Sequence, residues 1–287
     1  GSNEQVLTHD RNKNRLLDPA DPFLIEVGIS DANGKVKPTR ADKYLQVEEF
    51  LRLLVPTLNS AIAAKQISEP TTSKPFVIAD LGCGNAYLTF AVHQFLASQN
   101  FPIQVVGIDN RAEFYEKNSE IAKRLGISKT IQFKVESISD TTEKSADIAI
   151  ALHACDTATD DSIAWAVKNS AKVIMLAPCC HHDLQAQVDL VPEPWSLLTR
   201  HGVVSERLID LMTDSLRAQI LKLLGYRVDI VEFIGGEHTP RNIMIRAVKT
   251  GVKVDPAEVD RYQAMLADWK IAPHLAELLK SELSARI

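Results

Sequence analysis

The sequence predicts an α/β fold in which a doubly wound, mainly parallel sheet is covered by helices on both faces. Three observations carry that expectation. Short apolar runs at Phe76–Leu81, Ile103–Asp109, Thr130–Val135, Ala146–Leu152 and Ala171–Ala177 alternate with stretches of helical period, which is the rhythm of strand–helix–strand crossovers. Most of these runs are apolar throughout rather than alternately, as strands buried on both faces are. The first of them ends in Gly82-Cys83-Gly84, a tight turn opening a helix. Composition agrees: of 287 residues, 45% are hydrophobic and 24% charged, enough for a real core and unlike a disordered chain.

In chain order, residues 1–40 read as an arm. Asp18-Pro19-Ala20-Asp21-Pro22 and Asp31-Ala32-Asn33-Gly34 are turn signals, and Phe23–Val27 between them is a short strand or an apolar strip laid on the body. Residues 41–66 are helical, with Leu45, Phe50, Leu51, Leu53, Leu54 and Leu58 as the apolar face and a break or kink expected at Pro56. Ile67–Pro75 is a polar linker. The main domain, 76–250, follows, with helices at Leu88–Ser98, Glu113–Leu125 and Thr159–Asn169 between the strands. After Ala177 comes a less regular stretch, Asp183–Val204, then a helix from Ser205 to Leu224 ended by Gly225. Arg227–Ile234 and Asn242–Val248 are two closing strands joined by a short loop, and the tail, 255–287, is helical, with Tyr262, Met265, Leu266 and Trp269 on its apolar face.

Charge and cysteine usage bound the function classes. The formal net charge is −5, so nothing global announces a nucleic-acid binder. Four cysteines, two of them adjacent, make a poor disulfide scaffold. No apolar run approaches the roughly 20 residues of a membrane span. Gly1-Ser2 reads as a cloning remnant with no leader after it, so a reducing cytoplasm is the expected location and no membrane partner is expected.

The turn after the first strand is where doubly wound proteins hold nucleotide-like ligands, because glycines let the ligand reach the backbone. Tyr87 stands where a dinucleotide fingerprint needs its third small residue, and Asp80 would repel a pyrophosphate. The same charge suits a ligand with an ammonium, a sulfonium and no phosphate, which is S-adenosylmethionine. Asp80, Gly82, Gly84 and Asn85 are then expected around its amino-acid end. Asp109, 25 positions after Gly84 at the end of the second strand, is suited to both ribose hydroxyls, with Asn110 beside it. Glu136 and Ser137 follow the third strand, where adenine would lie, and Leu152 ends the fourth. The run from Val77 through Asp80-Leu81-Gly82-Cys83-Gly84-Asn85 to Thr89, with Asp109, resembles the first two motifs of class I S-adenosylmethionine-dependent methyltransferases. That resemblance spans roughly Ala41 to Lys249. It implies a Rossmann-like seven-stranded sheet of order 3-2-1-4-5-7-6 with strand seven antiparallel.

A second constellation lies at the ends of strands four and five: His153-Ala154-Cys155-Asp156 with Thr159-Asp160, and Pro178-Cys179-Cys180-His181-His182. Both fall at the carboxyl edge of the sheet, beside the transferable methyl. Consecutive ligands without a Cys-x-x-Cys make a poor zinc site, so no metal is expected. The two clusters, Lys43-Tyr44-x-Gln46-x-Glu48-x-Phe50 and His238-Thr239-Pro240-Arg241-Asn242 are similar to a methyltransferase branch containing the acceptor-stem tRNA 2′-O-ribose methyltransferases and bacterial relatives. The resemblance implies an RNA substrate. For a ribose hydroxyl a general base is needed, and His153, His181 and Asp156 are the candidates. For a pyrimidine carbon a cysteine must first add to the ring, and Cys179 is the candidate. Lys43, Arg200 and Arg241 are candidate substrate contacts, and Lys35, Lys37, Arg40 and Lys43 form the densest basic stretch. A methyltransferase of a small metabolite or protein side chain, and a non-catalytic cofactor-binding scaffold, are the alternatives.

Overall fold

The computed structural model describes residues 15–152, 157–178, 182–188, 191–233 and 243–287. Among them, seven strands form one sheet: β1 (Phe76–Leu81), β2 (Ile103–Asp109), β3 (Ile131–Val135), β4 (Ile148–Leu152), β5 (Val173–Ala177), β6 (Tyr226–Glu232) and β7 (Ile243–Lys249). The order is β3-β2-β1-β4-β5-β7-β6. β1 to β5 are parallel, and β7 runs antiparallel to both β5 and β6. Chain order reverses on either side of β1, and a crevice opens at such a switch point outside the carboxyl ends of the strands. In register, Asp80 of β1 stands beside Gly107 of β2 and Ile150 of β4.

The helices are α1 (Pro22–Glu26), α2 (Ala41–Ala63), α3 (Tyr87–Ser98), α4 (Ala112–Arg124), α5 (Thr157–Lys168), α6 (His182–Gln187), α7 (Ser196–Thr199), α8 (Gly202–Leu223), α9 (Pro256–Trp269), α10 (His274–Leu278) and α11 (Lys280–Ser284). Strand alternation splits the interior into two cores. Phe76, Ile78, Val105, Phe133, Ile148 and Met175 pack under α1 to α4, while Ala79, Leu81, Ile108, Ala149 and Ile174 pack under α5 and α8 to α11. No described helix is long and apolar enough to cross a membrane.

Three sequence expectations change. Phe23–Val27 is no strand: Pro22, whose fixed φ and missing N–H suit a helix start, opens the single turn α1. The apolar strip does lie on the body, with Phe23, Leu24, Val27 and Ile29 buried in the first core. Of the break or kink expected at Pro56, the break does not occur, and α2 runs through it. Proline removes only the donor to the Arg52 carbonyl, and buried Leu54, Leu58 and Ala61 hold the helix across that gap. The irregular stretch contains α6 and α7, and α8 starts at Gly202 rather than Ser205. The loop expected between β6 and β7 lies outside the described residues.

The arm is latched to α2 by the sequence cluster around Tyr44. Glu48 Oε1 accepts the amides of Leu16 and Leu17 at 2.7 and 3.1 Å. The Tyr44 hydroxyl donates to the Leu17 carbonyl at 2.6 Å. Phe50 meets Phe233 edge-on at 6.3 Å. Arg124 on α4 adds an ion pair to Glu26 at 2.8 Å.

Candidate functional site

The chain leaves β1 through a turn whose left-handed backbone would strain a side chain. Gly82 (φ 76°) and Gly84 (φ 52°) are left-handed, and so is the buried Ala86 (φ 58°) just before α3. A Cβ at Gly82 would point into open space, so the backbone itself is the cleft wall there. Gly107 on β2 is required for another reason: a Cβ would stand 2.7 Å from the Phe133 ring and 2.9 Å from Cys83 Sγ. The turn is fixed from α4, where Asn118 Nδ2 donates to the Gly84 carbonyl at 2.8 Å.

Asp80 is buried and its Oδ2 accepts the Thr89 hydroxyl at 2.6 Å. Burial pushes its carboxyl up to about 7, the nearby Asp109 charge adds to the shift, and Thr89 opposes it. Asp109 is treated differently. Burial would raise it too, but hydrogen bonds from Arg111 and the Gly84 amide hold it below the usual carboxylate range. Its Oδ2 accepts Gly84 N at 2.9 Å and Arg111 Nη2 at 3.0 Å; its Oδ1 accepts Arg111 N at 3.1 Å and Nε at 2.9 Å. The Arg111 guanidinium also lies 4.2 Å over the Phe114 ring. The Cys83 thiol is pushed up by burial and by both carboxylates, so it stays a neutral packing group.

Two cavities adjoin here. One, of about 210 Å³, is lined by Asp80, Gly82, Gly84, Asn85 and Leu152, and by the half-buried Lys43 and Tyr87. The other, of about 340 Å³, is lined by Gly82, Asp109, Asn110, Glu136, Ser137 and Asp161. Gly82 and Arg111 belong to both. Every residue expected from the sequence to hold the cofactor thus lines one cavity or the other. The arrangement suits an amino acid joined to a nucleoside: a buried acid beside the glycine turn in one half, a second carboxylate and an open rim in the other. Glu136 differs in detail. Its carboxylate is turned into its own loop, accepting from the Thr141 hydroxyl, from Thr142 N at 2.9 Å and from the Thr142 hydroxyl at 2.7 Å. It shapes the rim rather than offering a free acceptor.

Around the first cavity, Arg40 lies over the Tyr87 ring at 5.9 Å and Lys117 donates to Asn85 Oδ1 at 2.8 Å. Arg200, at the end of α7, is exposed and lines neither cavity. His153, Asp156, Cys179, His181 and Arg241 lie outside the described residues. Asp160, grouped with them by sequence, turns away into the second core, where Arg217 Nε reaches it at 2.7 Å and Arg217 Nη1 reaches Asp214 at 3.1 Å. Among the described residues no cluster of His, Cys, Asp and Glu could hold a metal ion. Sequence reading missed Thr89, Arg111, Lys117 and Asn118. Thr89 had a signal, since it sits on the inward face of the first helix after the turn.

Residues 42–187, a little over half of the chain, match a family model described as a methyltransferase domain. No curated protein matches the chain. Solved structures similar to it include magnesium protoporphyrin IX methyltransferase from Synechocystis PCC 6803 with bound S-adenosylhomocysteine. It shares 13% identity at a TM-score of 0.44, over 79% of this chain and 93% of that one. A S-adenosylmethionine-dependent O-methyltransferase from Thermotoga maritima shares 16% identity at 0.40, over 73% of each chain. An rRNA methylase from Streptococcus thermophilus shares 12% at 0.38, over 67% of this chain and 94% of that one.

Proposed function

Because this chain belongs to the methyltransferase-domain family and is an S-adenosylmethionine-dependent methyltransferase, we propose that its acceptor is RNA and the methylated atom a ribose 2′-hydroxyl. The observation that supports this reading is the charge at the cleft entrance. In a chain of net charge −5, Lys43 lines the amino-acid half, Arg40 lies over its wall residue Tyr87, and Lys117 donates to its wall residue Asn85. A polyanion is drawn to such a rim.

In this reading the Asp80 carboxylate would hold the cofactor's ammonium, the Gly82–Asn85 backbone its amino-acid chain, and Asp109 its ribose hydroxyls. Asn110, Glu136 and Ser137 bound the adenine side. The cofactor supplies a methyl group on a sulfonium, and the protein supplies alignment and a base. Leu152 ends β4 on the cleft wall, so His153, the next residue in the chain, is our first choice for that base. His181 and Asp156 are the other candidates. A neutral imidazole would take the proton of the hydroxyl as its oxygen attacks. Arg200 and Arg241 are proposed phosphate contacts. Cys179 would serve as nucleophile only for a pyrimidine-carbon acceptor.

The test is tritium transfer from labelled cofactor into total RNA, protein and small metabolites, followed by nucleoside analysis. Label in 2′-O-methylnucleosides supports the reading. Label confined to protein or metabolites, or a covalent adduct trapped on a 5-fluoropyrimidine RNA through Cys179, overturns it.

A further inference from the structure

We infer that Arg111 is an internal competitor of the cofactor: its guanidinium occupies the hydrogen-bonding positions on Asp109 that the ribose hydroxyls require, and it must leave for the cofactor to bind. The inference rests on the proposed role of Asp109 as ribose acceptor. An ionised carboxylate offers about four lone-pair sites. At Asp109 all four are filled, two by the amides of Gly84 and Arg111 and two by Arg111 Nε and Nη2. The two amides are backbone and cannot retreat. The two guanidinium donors can, and a vicinal diol presents two hydroxyls in their place. Arg111 also stands where the two cavities meet, lining both, so a ligand spanning them passes its position. More than half of its side chain is exposed, so it can swing without disturbing the core. Arg111 therefore sets a threshold: a ligand gains this half of the cleft only if its hydroxyls replace a bidentate ion pair.

The experiment is calorimetry of S-adenosylhomocysteine binding to wild type, Arg111→Met, Arg111→Lys, Asp109→Ala and the Asp109→Ala/Arg111→Met double variant. Removing a partly exposed ion pair from the free state should tighten binding about two- to fivefold in Arg111→Met, with Arg111→Lys intermediate. Asp109→Ala should weaken binding. In the Asp109→Ala background the Arg111→Met change should have no tightening effect, because the competition runs through the carboxylate. Unchanged or weaker binding in Arg111→Met, with Asp109→Ala still weakened, overturns the competitor alone. Tightening that persists in the double variant also overturns it, since Arg111 would then merely obstruct the cleft. Wild-type affinity in Asp109→Ala removes the ribose reading itself.

Discussion

At Asp80, burial and the charge of Asp109 push the carboxyl up to about 7, while a strand away the Arg111 guanidinium and backbone amides keep Asp109 ionised. The two acids therefore stand in different protonation states near neutrality. A carboxyl whose folded pKa lies above its unfolded one contributes stability below the unfolded value, and that contribution is lost as pH rises toward the folded value. Relative to Asp80→Asn, the ligand-free wild type should lose stability between about pH 4 and pH 7, which urea unfolding at stepped pH measures. The cofactor's cationic groups favour the ionised form, so S-adenosylmethionine should bind more tightly at pH 8 than at pH 6 and release a proton where Asp80 is still protonated. Calorimetry in buffers of different ionisation enthalpy counts that proton, and identical profiles for wild type and Asp80→Asn would exclude Asp80 as the group responsible.

At the scale of elements, the contrast is between local and distant causes. The glycine turn and the acids at Asp80 and Asp109 were legible in the sequence because each depends on its own strand end and the few residues after it. Arg111 was not, since its importance lies in saturating a particular carboxylate, which no spacing reveals. α1 was misread because five residues are too few for a helical period to differ from an apolar strip. The Tyr44–Glu48 cluster was seen, but its partners lie 27 to 32 residues earlier, and only the fold joins them. This latch bears on the arm. With Phe23, Leu24, Val27 and Ile29 in the core, deleting the arm should damage the fold itself rather than turnover alone. Glu48→Ala leaves the Leu16 and Leu17 amides without their acceptor and should cost about 1–3 kcal/mol. Glu48→Gln keeps a carbonyl acceptor and should recover most of it. Chemical denaturation distinguishes the two, and equal losses would mean that charge rather than acceptance fastens the arm.

Across the whole molecule, the sheet separates a first core that carries the arm and the turn from a second that carries a buried ion network. Arg217 is buried between Asp160 and Asp214, and burial raises the Asp160 carboxyl even with that cation beside it. Arg217→Met would leave those carboxylates without it and should destabilise the protein by about 3–5 kcal/mol. Replacing all three residues with apolar ones of similar volume should cost far less, and a single variant as stable as wild type would show that the network carries little. The outer surface carries the test of the proposed RNA acceptor. If binding rests on Arg40, Lys43 and Lys117, about three phosphates are neutralised, and for single-stranded RNA the slope of log K against log salt should be near −2. Substituting any one of the three with Gln should flatten the slope by about 0.7. A slope steeper than about −5 would place the binding surface elsewhere, on cations outside the cleft entrance. A slope near zero would mean that the acceptor is not held through phosphates at all, which would return the cleft to a small or neutral substrate.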